Sequence, residues 1–141
     1  MRHFTINTTW EKSQFIGSVC DEHGVVVVDD LYTSDFNEFI EWAEECIDIL
    51  VPYPENEEWS WPDWYKNKEY DFTIQFSDVA TLLKAFSAYV PLATLSKATH
   101  INKGQLSHYG NRLKVPRESK RDHIINTFHK IGERLCNFTI K

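Results

Sequence analysis

Cysteine is scarce in this 141-residue chain: Cys20, Cys46 and Cys136 are far apart and form no C-x-x-C pair. That pattern excludes a disulfide scaffold and a zinc knuckle, and it fits a reducing cytoplasm. The six histidines show no tight spacing with cysteine, so neither a metal site nor a cofactor is expected. With five glycines and five prolines, collagen-like and linker-dominated architectures are excluded. No apolar run approaches the roughly 20 residues of a membrane helix. Met1-Arg2-His3-Phe4 leads directly into polar–apolar alternation, with no apolar core of an export signal. We therefore expect a cytoplasmic protein with no membrane partner. What is abundant is aromatic: 9 Phe, 6 Tyr and 5 Trp within a 42% hydrophobic composition, enough to bury a real core.

Charge is unevenly divided along the chain. Residues 1–76 carry 4 Lys+Arg against 17 Asp+Glu, net −13, whereas residues 77–141 carry 11 against 4, net +7. The expected domains are therefore an acidic 1–76 and a basic 77–141. Opposite charges of this size suggest two surfaces with two partners, a basic macromolecule for the first and a polyanion for the second. The alternative is mutual neutralisation of the two halves.

In the acidic half, Phe4, Ile6, Thr8 and Trp10 alternate with Thr5, Asn7 and Thr9, the period of a half-buried strand. Phe15–Cys20 reads as a second strand. After the turn Asp21-Glu22-His23-Gly24, the run Val25–Val28 reads as a third, covered on both faces. Ser34 is placed to cap one helix bearing Phe36, Phe39, Ile40, Ala43, Ile47 and Leu50 on its inner face and Glu41, Glu44, Glu45 and Asp48 on its outer face. Pro52 ends it, and residues 52–69 read as a loop in which Trp59, Trp61 and Trp64 either fold back over the sheet or anchor a partner. Tyr70, Phe72, Ile74 and Phe76 make a fourth strand. The module is thus β-β-β-α-β, and the whole chain α+β, with an all-helical second domain.

Catalysis is not expected. A ribonuclease H-like nuclease needs converging carboxylates for Mg²⁺, one of them inside the first strand, where this chain has Asn7. Asp29, Asp30 and Asp71 belong to no joining motif, and there is no G-x-S-x-G.

In the basic half, Ser77 is placed to cap a helix with Val79, Leu82, Leu83 and Phe86 on one side. Leu95–Tyr109 then reads as a short helix, a tight turn and a second short helix capped by Asn102. On that second helix Ile101, Leu106 and Tyr109 fall on one side, and Lys103, Ser107 and Asn111, flanked by Gly104 and His108, on the other. A bare polar face on a short helix suits a DNA major groove. Lys103 and His108 are the expected base contacts, helped by Asn102, Gln105 and Ser107, with Asn111, Lys114 and Arg117 at phosphates. A last helix from about Ser119, with a Ser119–Asp122 capping box, carries Ile124, Phe128, Ile131 and Leu135, and Phe138–Ile140 is suited to a terminal strand.

The stretch Thr99–Tyr109 through Pro116-Arg117, with its Ile-x-x-x-x-Leu-Ser core and a proline nine residues after the serine, resembles the HicB-like antitoxin family, as does the order of acidic module and helix-turn-helix. His100 and Arg112 stand where that motif commonly has glycine. The resemblance implies a partial, nuclease-inactive ribonuclease H-like domain that binds a small basic RNA-cleaving toxin, here through Glu41, Glu44, Glu45, Asp48 and the three tryptophans. It also implies a lambda-repressor-like helix-turn-helix that binds its own operator, usually as a homodimer. A ligand-sensing transcription factor and a protein adaptor that never meets DNA are the alternatives.

Overall fold

The computed structural model describes residues 1–51 and 61–141. The chain is mixed α+β, with strands towards its N-terminus and helices towards its C-terminus, and it forms two compact units, Met1–Ser77 and Asp78–Lys141.

The first unit is built on a four-stranded sheet: β1 (Arg2–Glu11), β2 (Gln14–Cys20), β3 (Val26–Thr33) and β4 (Tyr70–Phe76), in the order β3-β2-β1-β4. The first three strands are antiparallel, and β4 lies parallel to β1 with Phe4 opposite Phe72 and Ile6 opposite Ile74. Because side chains alternate, this register puts Phe4, Ile6 and Thr8 on the same face as Phe15 and Val19, and all five are buried. That face is covered by α1 (Phe36–Glu44), whose Phe39 and Ala43 are fully buried, followed by α2 (Cys46–Leu50). Gly17 makes the fit possible. A Cβ there would collide with the carbonyl oxygen of Asn7 and lie 3.1 Å from the Phe39 ring, so the position tolerates no side chain.

Several local expectations are corrected. Asp35, not Ser34, caps α1: its carboxylate accepts from the Glu38 amide at 2.9 Å. The single helix through Leu50 is interrupted at Glu45, which separates α1 from α2. Val25 and Val26 are not covered on both faces but are 59% and 52% exposed: Val25 belongs to the turn before β3, and Val26 is the first residue of this edge strand. Residues 61–69 are not all loop: α3 (Asp63–Lys66) forms one short turn before β4.

The second unit starts with α4 (Val79–Ala85), whose N-cap is Asp78 rather than Ser77. Ser77 is already used, its amide donating to the Thr8 carbonyl and its hydroxyl bonded to that of Thr9. Asp78 accepts from the Thr81 amide and hydroxyl at 2.9 and 2.6 Å and is paired with Arg112 at 2.8 Å. Burial by itself raises the Asp78 carboxyl, but the hydrogen bonds from Arg112 and Thr81 outweigh it and hold the group below its ordinary value of 3.8. A depressed carboxylate stabilises the fold fully above that ordinary value, and the contribution fades as pH falls below it. Asp78→Ala is expected to cost this unit about 1–2 kcal/mol at neutral pH, mainly through the lost cap. The difference from wild type, followed by helical circular dichroism on melting, should narrow on acidification below the carboxylate range.

Helices α5 (Leu92–Thr99) and α6 (Lys103–Gly110) are joined by His100-Ile101-Asn102. His100 takes the left-handed conformation, φ 61°, and Arg112 does so just after α6, φ 58°, the two positions where the resembled motif commonly has glycine. Leu95, Ile101, Leu106 and Tyr109 are buried between the helices. The final helix α7 (Glu118–Cys136) is flanked by Arg117, with no side-chain cap, so the Ser119–Asp122 box is not formed. Ile124 and Thr127 anchor its first half, and His123 reaches the Thr99 carbonyl at 2.9 Å. Its last turns are different: Leu135 is 66% exposed, and Phe138 and Ile140 beyond it form no strand and are exposed.

Candidate nucleic-acid interface and partner surfaces

Asn102 opens α6 by accepting from the Gly104 amide at 2.7 Å. Gly104 suits this cap, because a Cβ at that position would lie 3.0 Å from the Asn102 side-chain oxygen. At about 100° per residue, Lys103, Ser107, Asn111, Gly104 and His108 follow one another round a continuous arc, while Leu106 and Tyr109 fall opposite. Burial agrees with that geometry: Leu106 and Tyr109 are buried, Lys103, Gly104, His108 and Asn111 exposed, and Ser107 half-buried.

The eight residues singled out from sequence for DNA divide by how much of each side chain is already used. Lys103 and His108 are exposed on the arc, and Lys114 and Arg117 are exposed in the segment leading to α7. Asn102 is exposed but occupied as the cap, and Asn111 donates to the Ser107 hydroxyl at 3.4 Å. Gln105 lies on the buried side of the arc, half-buried, and its amide donates to the Tyr109 hydroxyl. Both side chains are short of the exposed arc because residue 105 falls next to 109 on the helical circle. Arg112, although basic and close by, is committed to Asp78. Lys97, in the last turn of α5, is exposed and was not singled out from sequence.

On the acidic unit, Glu41, Glu44 and Glu45 are exposed on α1 and just after it, while Asp48 accepts from the Tyr65 hydroxyl at 2.9 Å and so holds that phenol above its ordinary pKa. Trp64 is packed, its ring 6.4 Å from Phe4 and 6.0 Å from Tyr70, with the Arg2 guanidinium 4.8 Å over it. Trp61 stacks on Tyr65 at 5.8 Å, and Trp59 lies outside the described residues. Trp61 and Trp64 therefore fold back onto their own unit, because neighbouring aromatics on β1, β4 and α3 offer them a surface. Trp42, 44% exposed beside Glu41 and Glu45, is an aromatic that sequence reasoning passed over.

The sheet face away from α1 is polar: Asn7 and Thr9 of β1, Ser18 of β2 and Gln75 of β4 share it. With Asp29, Asp30 and Tyr32 of β3 they line an open cleft of about 850 Å³.

Among the described residues no three His, Cys, Asp or Glu side chains are grouped to hold a metal ion. Burial pushes the Cys46 thiol up to about 11, which leaves it an inert core residue. Among the described residues no helix is long and apolar enough to cross a membrane. No protein-family model, curated protein or solved structure matches the chain.

Proposed function

We propose that the protein is a DNA-binding regulator of the antitoxin type. Its Asp78–Lys141 unit reads an operator with the helix-turn-helix α5–α6, and its Met1–Ser77 unit binds a small basic toxin protein. One observation carries the DNA-binding part: a unit of net charge +7 whose second short helix is rooted by Leu106 and Tyr109 and leaves Lys103, Ser107 and His108 on an open arc. Lys can donate to guanine O6 and N7, and His and Ser can reach base edges in the major groove. Lys114 and Arg117 are suited to phosphates, and so is Lys97. The left-handed turns at His100 and Arg112 are what the resembled motif requires of its chain path.

For the acidic unit, a net charge of −13 favours a basic protein and disfavours nucleic acid. Its fold order, three antiparallel strands with a helix leading to a parallel fourth, is the one expected of a partial ribonuclease H-like domain, and Asn7 stands in the first strand in place of a metal-binding acid.

Two copies acting together suit this geometry. One eight-residue recognition helix contacts few bases, whereas two held about 34 Å apart read a palindrome. The apolar end of α7, where Ile131 and Leu135 continue the spacing of the buried Ile124 and are followed by Phe138, is the surface proposed to join them. Leu135→Glu is then expected to give a monomer on sedimentation with unchanged helical content, because the residue is 66% exposed in the single chain.

Titration of duplex DNA at several salt concentrations tests the main proposal. With about four phosphates neutralised per subunit, a log–log slope of about −3 to −4 per subunit is expected. A flat salt response would leave the protein-adaptor alternative in its place.

A further inference from the structure

Given that the acidic unit receives a basic protein, as proposed above, we propose that the docking surface is the polar sheet face away from α1, and that the open cleft there takes arginine side chains of the partner. Three observations favour this over the outer face of α1. Among the described residues lining the cleft there is no Lys, Arg or His, while Asp29 and Asp30 stand on its β3 side. An anion or a nucleic acid meets no cation there, whereas a cation meets two carboxylates and the carboxamide oxygens of Asn7 and Gln75.

The carboxylates are placed by an irregularity. Gly17 pairs with Leu31 and Val19 with Val28, so β3 has one residue more than β2 between these pairs, and Asp29 and Asp30 form this bulge. Asp30 takes φ 56°, a conformation that Asp and Asn adopt more readily than most other side chains. The Asp29 carboxylate accepts from the Asp30 amide at 2.8 Å, which fixes its direction.

Tyr32, 62% exposed at the same edge, adds an aromatic face. A planar guanidinium is the cation that uses all of this: it stacks on a ring, bridges two oxygens of a carboxylate, and donates its remaining N–H groups to amide and hydroxyl oxygens. An ammonium is a point charge and uses less.

The test follows binding of labelled oligoarginine and oligolysine peptides of equal length to the full chain by fluorescence anisotropy. Oligoarginine is expected to bind more tightly. The double variant Asp29→Asn/Asp30→Asn, which keeps a residue type that tolerates positive φ, is expected to weaken it about tenfold. The variant Glu41→Gln/Glu44→Gln/Glu45→Gln removes more charge and is expected to weaken it by less than about twofold. The reverse ranking, or equal weakening, overturns the sheet face as the docking surface while a basic partner for the acidic unit still stands. Equal affinity for oligolysine overturns the guanidinium assignment. No binding of either peptide to wild type removes both the surface and the basic partner, and leaves DNA binding by the other unit to its own titration.

Discussion

Gly17→Ala is expected to unfold the acidic unit or bring it close to unfolding, at a cost of at least about 3 kcal/mol. The added methyl would strike the carbonyl of Asn7 in the neighbouring central strand and press on the Phe39 ring. Backbone between two paired strands cannot swing aside as the end of a flexible side chain can, so relief requires separating β1 from β2 or lifting α1 off the sheet. Against a typical domain stability of about 5–15 kcal/mol, that loss is large. All five tryptophans lie in residues 1–77 and none in the basic unit, so tryptophan emission during urea unfolding reports on the affected unit alone. The expected result is a midpoint strongly lowered in emission, with the helical signal of the Asp78–Lys141 unit retained. An unchanged emission midpoint would mean that the strand pairing around Gly17 is not as described.

Lys103→Ala/His108→Ala is expected to abolish preference for the operator while leaving the fold intact. Both side chains are exposed, so their removal opens no cavity. Each good base contact is worth about 1–3 kcal/mol of discrimination, so losing two should lower affinity for a selected duplex by about a hundredfold or more. Affinity for unrelated duplexes should change far less, because Lys114 and Arg117 still serve phosphates. Lys114→Ala/Arg117→Ala is the complementary experiment: it should weaken all duplexes alike and make the salt slope shallower by about two. Unchanged footprinting by the Lys103/His108 variant on a duplex selected with the wild-type chain would reject α6 as the reading helix.

Much of the architecture was legible residue by residue. The alternation Phe4–Ile6–Thr8 and Tyr70–Phe76 predicted strands with one buried face, since a period of two has no other folded use. Asn102 as the cap of α6, and Leu106 and Tyr109 as its root, followed from the same kind of local rule. Where two capping residues stood side by side, the local rule did not choose. Asp35 prevailed over Ser34, and Asp78 over Ser77, the second because Thr9 and Arg112, remote in sequence, engage Ser77 and Asp78 respectively. Val26 was misread because an edge strand and a central strand share one composition, and only the strand order distinguishes them.

For the candidate sites the division is similar. Charge segregation and the polar arc of α6 belong to the linear chain, because net charge adds along the sequence and a helix repeats every 3.6 residues. The commitment of Gln105 to Tyr109, of Arg112 to Asp78 and of Trp64 to Phe4 and Tyr70 does not, nor does the meeting of Asp29, Asp30, Asn7 and Gln75 on one sheet face. Local order and total charge are sums over near neighbours, and these the sequence determined by itself. Which polar groups are already satisfied, and which strands share a face, depend on pairings across tens of residues, and these only the tertiary structure decided.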